Sequence, residues 1–267
     1  MSARKLDHPI AVGGTAEVYA WEPGWVLKLY FQRYGAGIAE FEHRIASAIC
    51  ATGLPVPAVG EIVNVKGRAG LLYRECDGEP MAKDLAKHPW RVISHARTLA
   101  ELQADMHAKP IQANLSPLRR RLEHKIREAK PLPADLRIAA LRALDAMPDG
   151  DRLCHGDFHP GNILFSRPDP IIIDWIDASI GSPLADVART SILAQGLVAL
   201  ETQAAWTRRF VIRLLHAVYL RRYFQLHPGR YDEYRRWLPV VAAARLSEGV
   251  AGWENWLLAQ AGRLLPR

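Results

Sequence analysis

Three polar residues stand where a folded chain has little structural reason to place them. Asp157 and Asn162 lie five positions apart in the loop HGDFHPGN, and Asp174 follows three consecutive isoleucines in IIIDWID. With Pro160 and Gly161 shaping the turn between them, Asp157 and Asn162 can face one small volume. An aspartate at the end of an apolar strand is costly to bury unless a cation or strong donors meet it. A hard divalent ion such as magnesium takes oxygen ligands and keeps several waters, so Asn162 and Asp174, joined by nucleotide phosphates, would satisfy one. Asp157 would then remain to accept a proton.

A second set lies near the N-terminus, in AVGGTAEVYAWEPGWVLKLY. Gly13 and Gly14 fall between two β-prone runs, where backbone amides could approach a phosphate closely, and Thr15 adds a hydroxyl. A plain hairpin turn accounts for the same residues. Lys28 sits between Leu27 and Leu29 and shares a strand face with Val26 and Tyr30. It is either an edge lysine pointing to water or a buried one that needs a counter-ion. Glu42 offers that counter-ion, because it precedes Ile45 and Ile49 by three and seven positions and borders the apolar stripe of the next helix. Glu40 sits farther round the same helix.

The elements that must carry these residues fall into two groups. AEVYAW and WVLKLYF around EPG, and GEIVNV and AGLLYRE around KGR, read as two hairpins. Between them AEFEHRIASAIC has helical spacing, and ATGLPVP ends that helix. After the turn-forming CDGEP the period becomes helical, over WRVISHARTLAELQADMHA and then over 118–129, 134–146, 184–199 and 203–226. Only the loop at 155–162 and the strands NILF and PIIIDW interrupt it. The expected organisation is α+β, with residues 1–75 as a strand-rich lobe, 76–267 as a mainly helical lobe, and a cleft at their junction, a common place for a ligand.

With 49% hydrophobic and 24% charged residues over 267 positions, the chain has the composition of a globular protein rather than a disordered one. No apolar run is long enough to span a bilayer and MSARKLDHPI lacks the apolar core of a secretory signal, so a cytoplasmic protein with no membrane association is expected. Cys50, Cys76 and Cys154 are widely spaced and odd in number, which suits neither a disulfide framework nor a zinc site. The net charge is +7, and from residue 201 onward eleven arginines and no lysine face five acids. Solvated helix faces explain this. A pocket wall that prefers anions or neutral hydroxylated molecules to polycations also explains it.

Taken together, HGDFHPGN and IIIDW closely resemble the catalytic and metal-binding segments of the aminoglycoside phosphotransferase and choline kinase-like family, small-molecule relatives of protein kinases. The Asp157 to Asn162 spacing is that of the kinase loop H-R-D-x-x-x-x-N, with Gly156 in place of the arginine. GGTAEVY is similar to the family's phosphate loop, although it lacks the full G-x-G-x-x-G. VLKLY is similar to its nucleotide-lysine strand, GLPVP to its helix exit, LAELQADMH to its first large-lobe helix, and SPLADVA to the segment after the metal aspartate.

The resemblance implies a protein kinase-like two-lobed fold and an ATP-dependent transfer of the γ-phosphoryl group to a hydroxyl of a small molecule. Asp157 would be the catalytic base, and Asn162 and Asp174 would hold Mg2+. Lys28, steadied by Glu42, would bind phosphates beside Gly13, Gly14 and Thr15, and the backbone around Glu75 and Cys76 would meet adenine. His155 and Asp186 would support the loop. A kinase-like nucleotide binder without transferase activity and a protein Ser/Thr kinase are the alternatives. Only eleven residues separate Asp174 from Asp186 and no A-P-E signal is present, which leaves little room for a peptide platform. The expected partners are a hydroxylated small-molecule acceptor and no nucleic acid, with the chain as monomer or homodimer. The basic C-terminal quarter disfavours polycationic aminoglycosides as acceptors and favours neutral or anionic alcohols.

Overall fold

A computed structural model describes residues 8–35, 37–109, 115–166, 169–200 and 206–265. The N-terminal segment MSARKLD, Glu201 and the start of the helix expected from 203 lie outside the described residues. The strands are β1 (Ala11–Val12), β2 (Ala16–Glu22), β3 (Trp25–Tyr30), β4 (Val59–Val65), β5 (Arg68–Arg74), β6 (Glu79–Pro80), β7 (Arg152–Cys154), β8 (Ile163–Phe165), β9 (Ile171–Ile172) and β10 (Ser179–Gly181). The helices are α1 (Gly37–Cys50), α2 (Met81–Lys87), α3 (Val92–Ala108), α4 (Leu118–Glu128), α5 (Ala134–Asp145), α6 (Pro183–Leu200), α7 (Trp206–Leu226), α8 (Tyr231–Arg245) and α9 (Glu254–Ala261). Two compact units result: Met1–Pro80 with Asn162–Ile176, and Met81–Gly161 with Asp177–Arg267.

The first unit is built on a five-stranded antiparallel sheet of order β1-β2-β3-β5-β4. Both expected hairpins form. At the tip of β4–β5, Lys66 and Gly67 both take left-handed φ (52° and 80°), the turn geometry whose twist matches the flanking strands. The Asn64 side chain accepts the Gly67 N–H at 3.0 Å. Because β3 lies between β2 and β5, with Lys28 opposite Val18 and Leu71, Lys28 is not an edge lysine. Alternation along the strands sorts the core into two faces. Leu27, Leu29, Leu72 and Tyr19 cluster on one, and Tyr30, Leu71 and Ala16 join Ala39 of α1 on the other. Lys28 is on the second face, toward α1, whose buried stripe is Ala39, Glu42, Ile45, Ala46 and Ile49.

The same unit contains a small antiparallel sheet of order β6-β8-β9. Three details depart from the sequence reading. CDGEP is more than a turn, since Glu79 and Pro80 pair with Phe165 and Leu164. Asn162 closes a 3-10 turn, Pro160–Asn162, rather than opening a strand. Strand β9 stops at Ile172, so Ile173 and Asp174 lie beyond it. Two- and three-residue strands carry too few side chains to show a period, and only cross-strand pairing defines them.

In the second unit α3 packs along α7, and α6 packs against α7 and α8. Helix α6 opens with proline, whose missing N–H costs nothing at that position. Its buried residues include Asp186, Arg189, Thr190 and Ser191 beside Val187, Ile192 and Leu193. A helix so enclosed must pair its polar groups internally. Strands β7 and β10 form an antiparallel ribbon with Cys154 opposite Ser179. Cys50, Cys76 and Cys154 are free thiols, and burial pushes Cys154 well above the usual thiol range. No helix among the described residues is long and apolar enough to cross a membrane.

Candidate active site

The residues singled out from sequence fall into a cluster in each unit. In the first, Lys28 Nζ donates to both Glu42 oxygens (2.8 and 3.0 Å) and to Asp174 Oδ1 (2.8 Å). Glu42 is 1% exposed and also accepts the Tyr73 hydroxyl at 2.7 Å. Burial pulls the Lys28 ammonium down, but Glu42 and Asp174 outweigh it and hold the group charged above its ordinary value. Burial, then the same carboxylate, pushes the Tyr73 phenol well above its usual range, so it stays a donor. Glu40, the less favoured partner, is exposed.

Asp174 differs from the buried strand-end aspartate read from IIID. Its side chain is 40% exposed, and its backbone is left-handed at φ 64°. Aspartate tolerates that conformation better than most residues, yet it remains a strained one. The pairing of Ile172 with Ile163 is kept, and the chain takes this conformation only beyond it. Asn162 is buried, and its carbonyl accepts the Ile173 N–H at 3.0 Å, which ties the chain beside one candidate ligand to the chain beside the other.

Gly13, Gly14 and Thr15 link β1 to β2. The Gly14 carbonyl accepts from Arg33 (2.8 Å) and from the Tyr34 hydroxyl (3.2 Å), and the Gly13 N–H donates to the Ala16 carbonyl at 2.9 Å. Neither glycine needs left-handed φ. Arg33 was not singled out from sequence, because it sits in a short 3-10 turn after β3. Glu75 and Cys76 follow β5. The Glu75 N–H already donates to the Gly24 carbonyl at 2.9 Å, so that amide is engaged within the unit.

In the second unit Asp157 follows β7. Gly156 has φ 81°, and a Cβ there would stand 2.5 Å from the Asp177 carbonyl, so only glycine fits where the kinase loop has arginine. Asp186, at the start of α6, accepts the N–H groups of His155 (3.1 Å) and Gly156 (2.7 Å), with Gln103 (3.0 Å) and His107 (3.2 Å). The Asp157 N–H donates to His155 Nδ1 at 3.2 Å. His159 Nδ1 accepts the Gly161 N–H at 3.0 Å, so the ring proton sits on Nε2, which faces Asp157 Oδ2 at 3.4 Å.

Sequence reasoning missed what holds the other oxygen. Arg189 donates to Asp157 Oδ1 (3.1 Å), to the Gly156 carbonyl (3.1 Å) and to Glu248 (3.0 Å). Glu248 also accepts from Arg245 at 2.7 Å and Lys125 at 3.1 Å. Burial raises the Asp157 carboxyl, but His159, Arg189 and His155 outweigh it and hold it far below the usual carboxylate range. Glu248 is pushed down to about 2, where Arg189, Lys125 and Arg245 outweigh its burial. Asp177 pairs with Arg121 and lies 3.6 Å from Lys125. One signal was available: Arg189 stands one helical turn after Asp186 and so shares its face. Nothing local marked Glu248. Of the C-terminal aromatics, Tyr219, Tyr223, Tyr234, Trp237 and Trp253 are core, while Trp206 and Tyr231 are exposed.

A family model described as the phosphotransferase enzyme family matches residues 8–237, and the chain belongs to that family. Solved structures share its fold. An aminoglycoside-3'-phosphotransferase of type VIII is 20% identical with a TM-score of 0.63, over 90% of each chain. A choline/ethanolamine kinase family protein from Mesorhizobium loti is 15% identical with a TM-score of 0.62, over 99% of this chain and 89% of that one. An amicoumacin kinase in complex with AMP-PNP, Ca2+ and Ami is 16% identical with a TM-score of 0.63, over 95% of this chain and 86% of its own. No curated protein sequence matches the chain. The fold is the protein kinase-like α+β fold expected from the motifs, with an antiparallel-sheet N-terminal unit and a helical C-terminal one.

Proposed function

We propose that this phosphotransferase moves the γ-phosphoryl group of ATP to a hydroxyl of a small molecule. The observation that carries the reading is Lys28 held between a buried glutamate and a half-exposed aspartate. Glu42 fixes the ammonium from the protein side, and the exposed side remains for an anion with delocalised charge. Lys28 would meet the nucleotide phosphates there, with the backbone of Gly13, Gly14 and Thr15 alongside. The Glu75 carbonyl and the Cys76 N–H would meet the base.

The donor set suits magnesium. Asn162 and Asp174 offer oxygen alone, and no group of three histidine, cysteine or acidic side chains among the described residues forms a cage for a more demanding ion. When bound there, magnesium would neutralise charge on the phosphates being transferred. Asp157 receives the acceptor hydroxyl. With its carboxyl held so acidic it is a weak base, and its task is to orient the hydroxyl and to take the proton late. This suits a loose phosphoryl-transfer transition state, which gains more from positioning than from deprotonation. His159 and Arg189 each hold one of its oxygens and set the plane of the carboxylate.

The test is a coupled ADP-release screen over hydroxylated metabolites and antibiotics, with Asp157→Ala as the blank. General-base and orienting groups are typically worth about 10²- to 10⁴-fold. The variant is expected to lose that much turnover on any productive acceptor while ATP affinity stays near wild type. Wild-type turnover in the variant would remove Asp157 from the mechanism.

A further inference from the structure

Beside the catalytic loop, the second unit has a pocket whose wall is charged and whose floor is apolar. Arg121, Lys125, Arg189, Arg245, Asp177 and Glu248 line it with the backbone of Gly156. Asp186 also borders it, but both its oxygens are engaged by the His155 and Gly156 N–H groups, Gln103 and His107.

Two features point to the sign of the ligand. The first is that Asp177 and Glu248, the lining carboxylates other than Asp186, are already held by cations. Asp177 is paired with Arg121 and faces Lys125, and Glu248 is paired with Lys125, Arg189 and Arg245. A cationic acceptor would have to displace one of these before finding an acid. The second is the pairing of one lining cation. Four cations line the pocket with Asp177, Glu248 and Asp186, and Arg189 also meets Asp157, so the charges balance in number and differ only in how they are paired. Arg245 is the one left incompletely paired. It is 7% exposed, its guanidinium stacks 4.6 Å over the Trp253 ring, and its Nε has no partner among the described residues. Burial and then the neighbouring Arg189 pull it down to about 10.

We infer that this pocket binds the anionic end of the acceptor, a carboxylate or phosphate ester on a hydroxylated molecule, with Arg121 and Lys125 as the groups that take the anion. These two side chains are 20% and 25% exposed, so Arg121 can exchange its counter-ion Asp177, and Lys125 its partners Glu248 and Asp177, for a ligand. Arg189 remains fixed on Asp157 and the Gly156 carbonyl. Arg245, buried below, supplies a long-range positive field. The inference rests on Asp157 receiving the acceptor hydroxyl, and it narrows the acceptor class from neutral or anionic alcohols to anionic ones.

The test has two arms on the full chain. In the first, ADP release is compared with D-gluconate, D-glucitol and D-glucamine, which present the same run of hydroxyls with an anionic, neutral and cationic end. Gluconate is expected to give kcat/KM at least tenfold above glucitol, with glucamine lowest. Preference for glucamine would overturn the inference. In the second arm, calorimetry measures citrate binding without nucleotide. Citrate is expected to bind saturably, at least tenfold more weakly to an Arg121→Met, Lys125→Met double variant and at least threefold more tightly to Asp177→Asn. A misfolded variant would not bind more tightly, so opposite shifts separate charge from damage. Absent citrate binding, or binding unchanged in both variants, sinks the anion site whatever the transferase activity. Citrate binding with the expected shifts, but no ADP release from any acceptor, sinks the transferase reading and leaves the site standing.

Discussion

Each unit of the molecule places one cation between two carboxylates, and the two arrangements behave differently. Lys28 joins Glu42 to Asp174, and Arg189 joins Asp157 to Glu248. A lysine ammonium is a compact point charge on a flexible stem, whereas guanidinium is a planar fork that fixes direction. Lys28 is accordingly held by a buried carboxylate on one side and by the half-exposed Asp174, which is able to change partner, on the other. Arg189 is fixed on three sides, because its Nε also holds the Gly156 carbonyl. The first arrangement suits a group that must accept an incoming polyanion. The second suits a carboxylate that must keep one orientation throughout a reaction.

The sharpest way to break this contrast is at Lys28. Lys28→Met should lower kcat/KM for ATP by about 10²- to 10³-fold, the usual loss when one preorganised electrostatic donor is removed. Lys28→Arg should not rescue it, because a fork would grip Asp174 and leave less for phosphate. Rescue by arginine in steady-state kinetics would erase the distinction.

The converse exchange, Arg189→Lys, keeps the charge and loses the fork. It should lower kcat by about ten- to a hundredfold, the range for a small misplacement of a reacting group, with KM for ATP unchanged. Asp157 would be less firmly held below its ordinary value, so the acid limb of the kcat profile should move to higher pH. An unmoved limb would show that Arg189 supports the fold and does not act on Asp157.

The smallest effect concerns stability. Glu248 has its pKa lowered from 4.5 to about 2 on folding. A depressed carboxyl contributes stability that is full above about 4.5 and is lost as pH falls toward 2. At 1.36 kcal/mol per unit, and with the group 23% exposed, the contribution is on the order of 2 kcal/mol. Glu248→Gln should therefore be less stable than wild type at pH 6, and the gap in Tm should narrow by pH 3. An equal gap at both values would mean that the carboxylate charge contributes nothing.

The sequence by itself determined the parts whose meaning is local. Strand period and turn residues marked both hairpins, and the placement of Lys28 and Glu42 marked their pairing. The spacing in HGDFHPGN and the aspartate in IIIDW marked the family. It misjudged Asp174, because a run of isoleucines suggests a buried strand, while the backbone turns left-handed just beyond Ile172. It overlooked the partners of Asp157, which stand 32 positions away at Arg189 and, through it, a further 59 at Glu248. Contacts between residues so distant in sequence leave no period and no spacing to read. They depend on how α6 and the turn after α8 pack, so only the tertiary structure decided that the basic C-terminal quarter sends Arg245 into the pocket while Trp206 and Tyr231 remain at the surface. Net charge is a property of composition, but which charges meet in a low-dielectric interior is a property of packing.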